Sequence, residues 1–245
     1  MKILLLDIET APNLAYVWGL FNQNISINQI SESGYTLCYA AKWLHTKTMM
    51  FDSIHKSGSK KMIKGLHKLL EEADAVIHYN GRKFDIPVIN REFVMHKLKP
   101  PSPYKQIDML TVCRGNFRFT SNKLDYVSQV LGLGAKVKHE GHELWVACMN
   151  NDKAAWGRME KYNKGDVIIL ERLYHELLPW IKNHPNYNLY HEDLCCPNCE
   201  SERLQARGYS TTAACVYKRY QCQDCGKWFR GNDRIKQPKL KGKDC

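Results

Sequence analysis

The chain begins with MKILLLDIET, in which an apolar run ends in two carboxylates. Ile3 to Leu6 predict a buried β-strand, and Asp7 and Glu9 follow it two residues apart. Because alternate side chains of a strand lie on the same face, both carboxylates point the same way beside apolar neighbours. Two buried anions cost free energy unless a cation or a proton compensates them. The stretch therefore predicts a core strand whose far end needs a cation.

Hydrophobic periodicity over the following residues predicts an α/β domain. Residues 2 to 8, 35 to 43 and 47 to 55 are typical of three strands in a meander, and residues 75 to 79 of a fourth strand. Apolar residues at helical spacing predict helices at 60 to 74, 84 to 97, 123 to 134 and 152 to 182, with Gly165 dividing the last one. This order predicts a mixed sheet flanked by helices.

Three further residues complete a group with the opening carboxylates. Asp85 begins a predicted helix just after a strand, where ligands gather in α/β sheets. Tyr162 and Asp166 are four residues apart and share one face of a helix. Taken singly, each has an ordinary explanation as a strand edge, a helix N-terminus or a solvated helix face. Their order and spacing together predict an oxygen-ligand site for Mg²⁺ or Mn²⁺.

These pieces resemble the motifs of the DnaQ-like DEDD 3′–5′ exonucleases, in the branch close to the proofreading domain of family B DNA polymerases. DIET at 7 to 10 resembles the first motif, NGRKFD at 80 to 85 the second and YNKGD at 162 to 166 the third. LDYVSQVLGLGAKV at 124 to 137 resembles the segment between the last two motifs. The resemblance covers about residues 1 to 182 and implies a ribonuclease H-like fold, in the subgroup with Tyr rather than His beside the attacking water.

The resemblance implies a role for each matching residue. Two Mg²⁺ or Mn²⁺ ions, which serve the attacking and leaving oxygens of phosphodiester hydrolysis, would be held by Asp7, Glu9, Asp85 and Asp166. Tyr162 would position the attacking water, because a phenol with an unperturbed pKa of about 10 is a poor base.

Weaker matches concern the substrate strand. Thr10 and Asn80 resemble positions near the terminal nucleotide, and Lys123 is a candidate contact to the phosphate backbone, with a solvated lysine as the alternative. Phe84 is expected to pack behind Asp85. HEGHE at 139 to 143 is read as a glycine-containing loop rather than a zinc site.

A second cation site is indicated by the cysteines. CPNC at 196 to 199 and CQDC at 222 to 225 are two CxxC knuckles with 22 residues between them, and four thiolates suit tetrahedral Zn²⁺. A module of about 40 residues is too small for a real core and needs such a metal. The segment resembles the zinc ribbons of transposases, and it predicts one structural zinc on Cys196, Cys199, Cys222 and Cys225.

Basic and aromatic side chains alternate in the same module. Lys218, Arg219 and Trp228 are candidates for contacts to phosphates and bases of nucleic acid. The alternatives are that the aromatic residues form the small core of the ribbon, or that the module docks a protein partner. Residues 195 to 245 carry 11 Lys and Arg against 5 Asp and Glu, more than half of the net charge of +11, which favours a polyanionic partner.

The sequence thus predicts four parts: an exonuclease domain at 1 to 185, a linker at 186 to 194, a zinc ribbon at 195 to 232 and a basic tail at 233 to 245. No apolar run approaches the length of about 20 residues that a membrane span needs. Clustered rather than scattered cysteines favour a reducing compartment, so a cytoplasmic location is expected.

The function predicted is a metal-dependent 3′–5′ exonuclease acting on single-stranded DNA or RNA ends. Nothing beyond about residue 182 resembles a polymerase, so any proofreading would serve a separate polymerase. A polymerase or another replication or repair protein acting in trans is therefore a candidate partner. Two alternatives stay open: a structure-specific endonuclease on the same site, and a nucleic-acid-binding adaptor with little catalysis. The sequence does not separate DNA from RNA.

Overall fold

The computed structural model describes residues 1–236, and it divides into two compact units. The first unit is Lys2–Tyr174, and the second runs from His175 to the end of the described residues. The basic residues beyond Lys236, and with them most of the predicted tail, lie outside the described residues. Within residues 1–236, no helix combines the length and the apolarity needed to cross a membrane.

The first unit is built on a five-stranded mixed sheet. Its strands are β1 (Ile3–Thr10), β4 (Thr36–Trp43), β5 (Met49–Ser53), β6 (Ala75–His78) and β7 (Lys105–Asp108), in the order β5-β4-β1-β6-β7. β1 lies at the centre, antiparallel to β4 and parallel to β6. The predicted meander and the predicted α/β class with a mixed, helix-flanked sheet are therefore confirmed.

Helices cover both faces of this sheet. In chain order they are α1 (Ile54–Ser57), α2 (Ser59–Glu72), α3 (Asp85–Met95), α4 (Met109–Asn116), α5 (Leu124–Val130), α6 (His142–Met149) and α7 (Lys153–Leu177). One core packs Leu4, Leu6 and Ile8 of β1 against α2 and α3. A second core packs Leu37 and Cys38 of β4 against α6 and α7. Burial of these apolar side chains fixes the register of β1.

The structure corrects several predicted boundaries. α7 is one continuous helix of 25 residues, so the predicted break at Gly165 is wrong. A Cβ at Gly165 would lie 3.0 Å from Val137 Cγ2, so this glycine permits a close approach between segments rather than a joint. HEGHE is not wholly a loop, because α6 begins at His142. The sequence also left β7, α4 and α6 unassigned.

The part of the chain that connects β1 to β4 forms a small additional sheet of two strands. β2 (Leu14–Ala15) pairs with β3 (Ile30–Glu32), and the connection between them is closed at its base by hydrogen bonds that join Tyr16 and Gln29. Its tip carries large side chains that face solvent: Trp18 is 99% exposed, and Leu20 and Phe21 are 87% and 84% exposed. No residue from Ala11 to Ser31 is charged. This exposed connection is called the uncharged loop below.

The second unit contains the cysteines and a three-stranded sheet. β8 (Leu204–Thr211), β9 (Val216–Cys222) and β10 (Trp228–Lys236) are antiparallel in the order β10-β9-β8. β10 runs to Lys236, four residues past the ribbon boundary predicted from the sequence. The predicted linker is structured in part, since Tyr187–Tyr190 form a 3₁₀ helix in which Tyr187 is buried and its N–H donates to Pro197 O at 3.1 Å.

Candidate active site

Three carboxylates meet at the carboxyl end of β1. Asp7 and Glu9 alternate with the core residues Leu6 and Ile8, so they lie on the face of β1 opposite to α2 and α3. One oxygen from each of Asp7, Glu9 and Asp166 lies within 4.8 Å of the other two. The strand supplies two of these acids and the middle of α7 the third, although about 160 residues separate them in sequence. These three residues are called the acidic cluster.

Asp85 lies beside this cluster without being part of its closest group. It is the first residue of α3 and is buried, and its Oδ1 accepts a hydrogen bond from the Ile8 N–H at 3.3 Å. Ile8 lies between the two acids of β1 in sequence. The structure therefore brings all four predicted carboxylates to the same strand end.

Asn163 holds Asp7 in place. Its fully buried amide Nδ2 donates to Asp7 Oδ2 at 2.6 Å, and its Oδ1 lies 3.8 Å from the Cys38 thiol. One Asp7 oxygen is thus occupied by a neutral donor, which fixes the direction of the other. Sequence reasoning missed Asn163, although its spacing of three residues from Asp166 on a helix was a usable signal.

Lys136 is a second residue that the sequence analysis missed. Its ammonium contacts Asp166 Oδ2 at 2.5 Å and the Tyr162 hydroxyl at 3.2 Å. Burial alone would lower the pKa of Lys136, but the neighbouring Asp166 and Tyr162 raise it, so the ammonium stays charged. Lys136 lies in a segment without regular structure, where helical spacing gives no signal.

Tyr162 is enclosed by other rings. His139 and Trp145 pack edge to face against it, with ring centroids 4.6 and 5.7 Å away. Burial, and next the nearby Asp166, raise the pKa of the Tyr162 phenol above its ordinary value of 10. The hydroxyl is therefore protonated at neutral pH and can donate a hydrogen bond.

Burial disfavours charge on all four acids, and repulsion from the other acids adds to this effect at Asp7 and Glu9. Burial raises the pKa of Glu9 to about 8, with a further increase from Asp166, and burial raises that of Asp85 to about 6. The pKa of Asp7 is raised by burial and next by Glu9, and that of Asp166 by burial in spite of Lys136. A bound cation would reverse these shifts by favouring the charged forms.

The donor set fits a hard divalent cation. Asp166 Oδ1 is buried and has no hydrogen-bond partner among the residues that the structure describes, while its other oxygen contacts Lys136. An unpartnered buried carboxylate oxygen is costly unless a cation meets it. Carboxylate oxygens are the ligands that Mg²⁺ and Mn²⁺ prefer. The residues present therefore fit such an ion.

The remaining predicted residues of this unit differ in where they lie and in how exposed they are. Asn80 adopts a φ of 65°, and its N–H donates to Asp108 Oδ1 at 2.9 Å, so it forms the turn between β6 and α3. Thr10 ends β1, directly after Glu9. Lys123 is exposed at the N-terminus of α5. Phe84 is 46% exposed, so the expectation that it packs behind Asp85 is wrong.

Four cysteines form a separate cluster in the second unit. Their four Sγ atoms all lie within 4.8 Å of one another, and the residues are Cys196, Cys199, Cys222 and Cys225. The Sγ atoms of Cys196 and Cys225 are 3.5 Å apart, and those of Cys199 and Cys222 are 3.6 Å apart. The set excludes the adjacent Cys195 and fits a tetrahedral thiolate site.

The predicted nucleic-acid residues of the ribbon lie on two faces. Arg219 and Trp228 share one face of the three-stranded sheet, where the Arg219 guanidinium lies 5.0 Å from the Trp228 ring centroid. Lys218 is the neighbour of Arg219 in β9 and so points to the other face, toward Tyr220. The structure therefore does not bring these three residues together as one surface.

The fold and the acidic cluster define a ribonuclease H-like protein. Residues 4–178 match a family described as the RNase_H superfamily, which covers more than half of the chain. The chain belongs to this superfamily. The family and the fold support nuclease activity in general.

Comparison with solved structures gives a consistent result. The chain is similar to the family B DNA polymerase of the hyperthermophilic archaeon Pyrobaculum calidifontis, with a TM-score of 0.56 and 17% sequence identity. The similarity covers 73% of this chain but only 24% of the polymerase. At this identity it shows a shared fold. Among curated proteins, the comparison finds no match.

Proposed function

We propose that the chain is a metal-dependent 3′–5′ exonuclease that hydrolyses phosphodiester bonds of DNA or RNA. The observation that carries this proposal is the meeting of Asp7, Glu9 and Asp166, with Asp85 alongside, at the end of the central strand. The resemblance to the DEDD exonucleases of the Tyr subtype, in three motifs, supports the 3′–5′ direction. A polymerase acting in trans is compatible with the structural similarity.

The four acids would hold two Mg²⁺ or Mn²⁺ ions. Bound there, the ions would acidify a water and stabilise negative charge on the leaving 3′ oxygen. Asn163 directs Asp7 by occupying one of its oxygens, and Lys136 does the same for Asp166. These two contacts leave one oxygen of each acid available as a ligand.

Tyr162 would orient the attacking water rather than deprotonate it. Its raised pKa keeps the hydroxyl protonated, and its ring is held by His139 and Trp145. A fixed hydroxyl lowers the entropy cost of placing a water for in-line attack.

The cysteine cluster would bind one structural Zn²⁺, in a ribbon similar to those of transposases. The knuckles are also tied to the segment before them, because the Lys227 ammonium donates to Ile181 O at 2.7 Å. A purified chain without about one zinc ion per molecule would contradict this part of the proposal.

The proposal is tested with a 5′-labelled single strand and Mg²⁺ or Mn²⁺. The labelled strand should shorten stepwise from its 3′ end, and a 3′-blocked or circular strand should resist. Asp7→Asn should reduce the rate by at least about a thousandfold, because it removes a ligand charge from the cluster. Glu176→Gln, an exposed acid near the end of α7, is the matched control and should keep the wild-type rate. Wild-type activity in Asp7→Asn, or cutting of the circle, would refute the proposal.

The same assay separates the role of Tyr162 from substrate binding. Tyr162→Phe keeps the ring contacts to His139 and Trp145 but removes the hydroxyl. We expect kcat to fall by about tenfold to a hundredfold, while KM changes by less than about threefold. The reverse pattern, a large rise in KM at constant kcat, would mean that Tyr162 binds the substrate.

A further inference from the structure

The second unit carries an exposed sheet face rich in arginine. Arg207 of β8, Arg219 of β9 and Arg230 of β10 lie on it together with Tyr217 and Trp228. The three arginines are exposed, and Trp228 is 44% exposed. This set of five residues is called the arginine face.

Each guanidinium on this face is held in a defined position. Arg230 lies over the Tyr217 ring, 4.2 Å from its centroid, while Arg219 and Arg207 lie 5.0 and 5.9 Å from the Trp228 centroid. Arg219 Nε also donates to Arg207 O, and Arg207 Nε donates to Gln205 Oε1, both at 2.9 Å. Ring stacking and Nε bonds leave the terminal N–H groups to bind an anion with two parallel bonds.

The positive charge of the face favours an anionic ligand. Arg219 and Arg230 are direct cross-strand partners, an arrangement that is destabilising for like charges. The acids of this sheet region lie elsewhere, because Asp224 pairs with Arg203 at 2.5 Å and Asp233 lines a cavity with Lys218 and Tyr220. A polyanion with regularly spaced charges would relieve this repulsion.

The stacking also limits what the aromatic rings can do. A nucleobase binds an aromatic side chain through the face of the ring. Guanidinium groups lie over the Trp228 and Tyr217 rings, so a base would have to displace them. The rings therefore serve to orient the arginines, whose terminal N–H groups match the geometry of a phosphate.

We propose that the arginine face binds the phosphodiester backbone of nucleic acid without reading its bases. This inference rests on the proposed function in taking nucleic acid as the substrate, and it departs from the base-stacking role that the sequence predicted for Trp228. It assigns the binding to Arg207, Arg219 and Arg230, and it leaves out Lys218.

The test measures binding by the full chain, with zinc present and Mg²⁺ and Mn²⁺ omitted. The probes are a 30-nucleotide single strand and an abasic strand of equal length, which has the same phosphates but no bases. The variant R219Q/R230Q is compared with Lys218→Gln, which removes a charge from the opposite face of the same strand. Circular dichroism and zinc content verify that each variant is folded.

We expect R219Q/R230Q to weaken binding of both strands by the same factor, about tenfold or more at 0.1 M salt. The slope of log Kd against log salt should fall by about 0.7 for each arginine lost. Lys218→Gln should bind within about twofold of the wild type. Arg219→Lys should lose part of the affinity, because an ammonium cannot form the two parallel bonds.

Three results would overturn the inference: unchanged affinity in R219Q/R230Q, an equal loss in Lys218→Gln, or a loss confined to the strand that carries bases. The last result would assign the face to base stacking. Failure of the proposed function is a separate outcome, in which nucleic acid binds through the arginines but is not hydrolysed when Mg²⁺ or Mn²⁺ is added.

Discussion

Lys136 shows how a single residue compensates the negative charge of the acidic cluster. Its ammonium contacts Asp166 and Tyr162, in a cluster where burial raises the pKa of every acid and repulsion adds to this at Asp7 and Glu9. A lysine carries one charge, whereas a divalent ion carries two on a smaller radius. Lys136 therefore partly neutralises the negative charge of the cluster when no metal is bound. A bound metal would neutralise most of that charge instead.

We predict that Lys136→Gln lowers the melting temperature more without divalent ions than with them. In metal-free buffer the acids lose their nearby cation, whereas with Mg²⁺ the ion compensates them. In the wild type, Mg²⁺ should raise the melting temperature, and in Lys136→Gln it should raise it further. Thermal unfolding with and without about 10 mM Mg²⁺ measures this. Lys123→Gln, at an exposed site, is the control, and an equal Mg²⁺ effect in all three proteins would exclude this role.

Most of the residues that would hold metal could be predicted from the sequence, whereas the residues that orient them could not. Asp7, Glu9, Asp85 and Asp166 stand in motifs whose order is visible along the chain. Lys136 lies in an irregular segment, and its partner Asp166 is 30 residues away, so only the folded chain shows the contact. Periodicity reports which face of an element is apolar and gives no information on such long-range polar pairs.

At the scale of elements, the turn from β6 to α3 places the second motif. Asn80 donates to Asp108 Oδ1, and the Gly81 N–H donates to His78 Nδ1 at 3.0 Å. Burial lowers the pKa of His78, although Asp108 opposes this. A neutral imidazole can therefore accept the Gly81 bond, and this fixes the start of α3 at Asp85.

Gly81 is required by a close approach in this turn. A Cβ at Gly81 would lie 2.5 to 2.8 Å from three atoms of the buried His78 side chain. We predict that Gly81→Ala lowers the free energy of unfolding by about 1–3 kcal/mol and reduces hydrolysis at least tenfold, because Asp85 shifts. Denaturant unfolding and the exonuclease assay measure these effects.

Gly157 gives the matched control for that substitution. It is exposed on α7, and a Cβ there meets nothing within 4 Å. Gly157→Ala should therefore raise the free energy of unfolding by about 0.5–1 kcal/mol, through helix propensity. If both alanine variants behave alike, steric contact with His78 is not what makes Gly81 necessary.

Two of the elements that the sequence missed, β7 and α4, are too short to be recognised from periodicity. β7 has only four residues, two of them buried, and α4 follows it directly with eight residues. Neither element is long enough to repeat its pattern of apolar residues several times. The predicted break in α7 failed because a glycine has two explanations, a helix end or a close contact with another segment. Tertiary packing chose the second, which helix propensity alone does not reveal.

At the scale of the molecule, the acidic cluster makes stability depend on pH. The pKa of Glu9 is raised from 4.5 to about 8 and that of Asp85 from 3.8 to about 6. The folded chain thus holds these protons more tightly than the unfolded chain does. The contribution of these two groups to the free energy of unfolding is fully present below their pKa values in the unfolded chain. It is lost as the pH rises through their pKa values in the folded chain, so the change falls between about pH 4 and about pH 8.

We predict that, without divalent ions, Glu9→Gln loses less stability than the wild type between about pH 5 and about pH 8. Glutamine does not titrate, so its contribution is the same at both pH values. Added Mg²⁺ should flatten the wild-type profile in the same way, because it favours the charged carboxylates. Melting temperatures measured across this range provide the test. Parallel profiles for the wild type and Glu9→Gln would contradict the raised pKa of Glu9.

The uncharged loop has a consequence for how molecules behave in concentrated solution. A net charge of +11 makes separate molecules repel each other, and this repulsion weakens as ions screen it. Trp18, Leu20 and Phe21 face solvent with no charged neighbour in the loop to keep another copy away. Raising the salt concentration should therefore turn net repulsion into attraction, so that the protein is less soluble in brine than in dilute buffer.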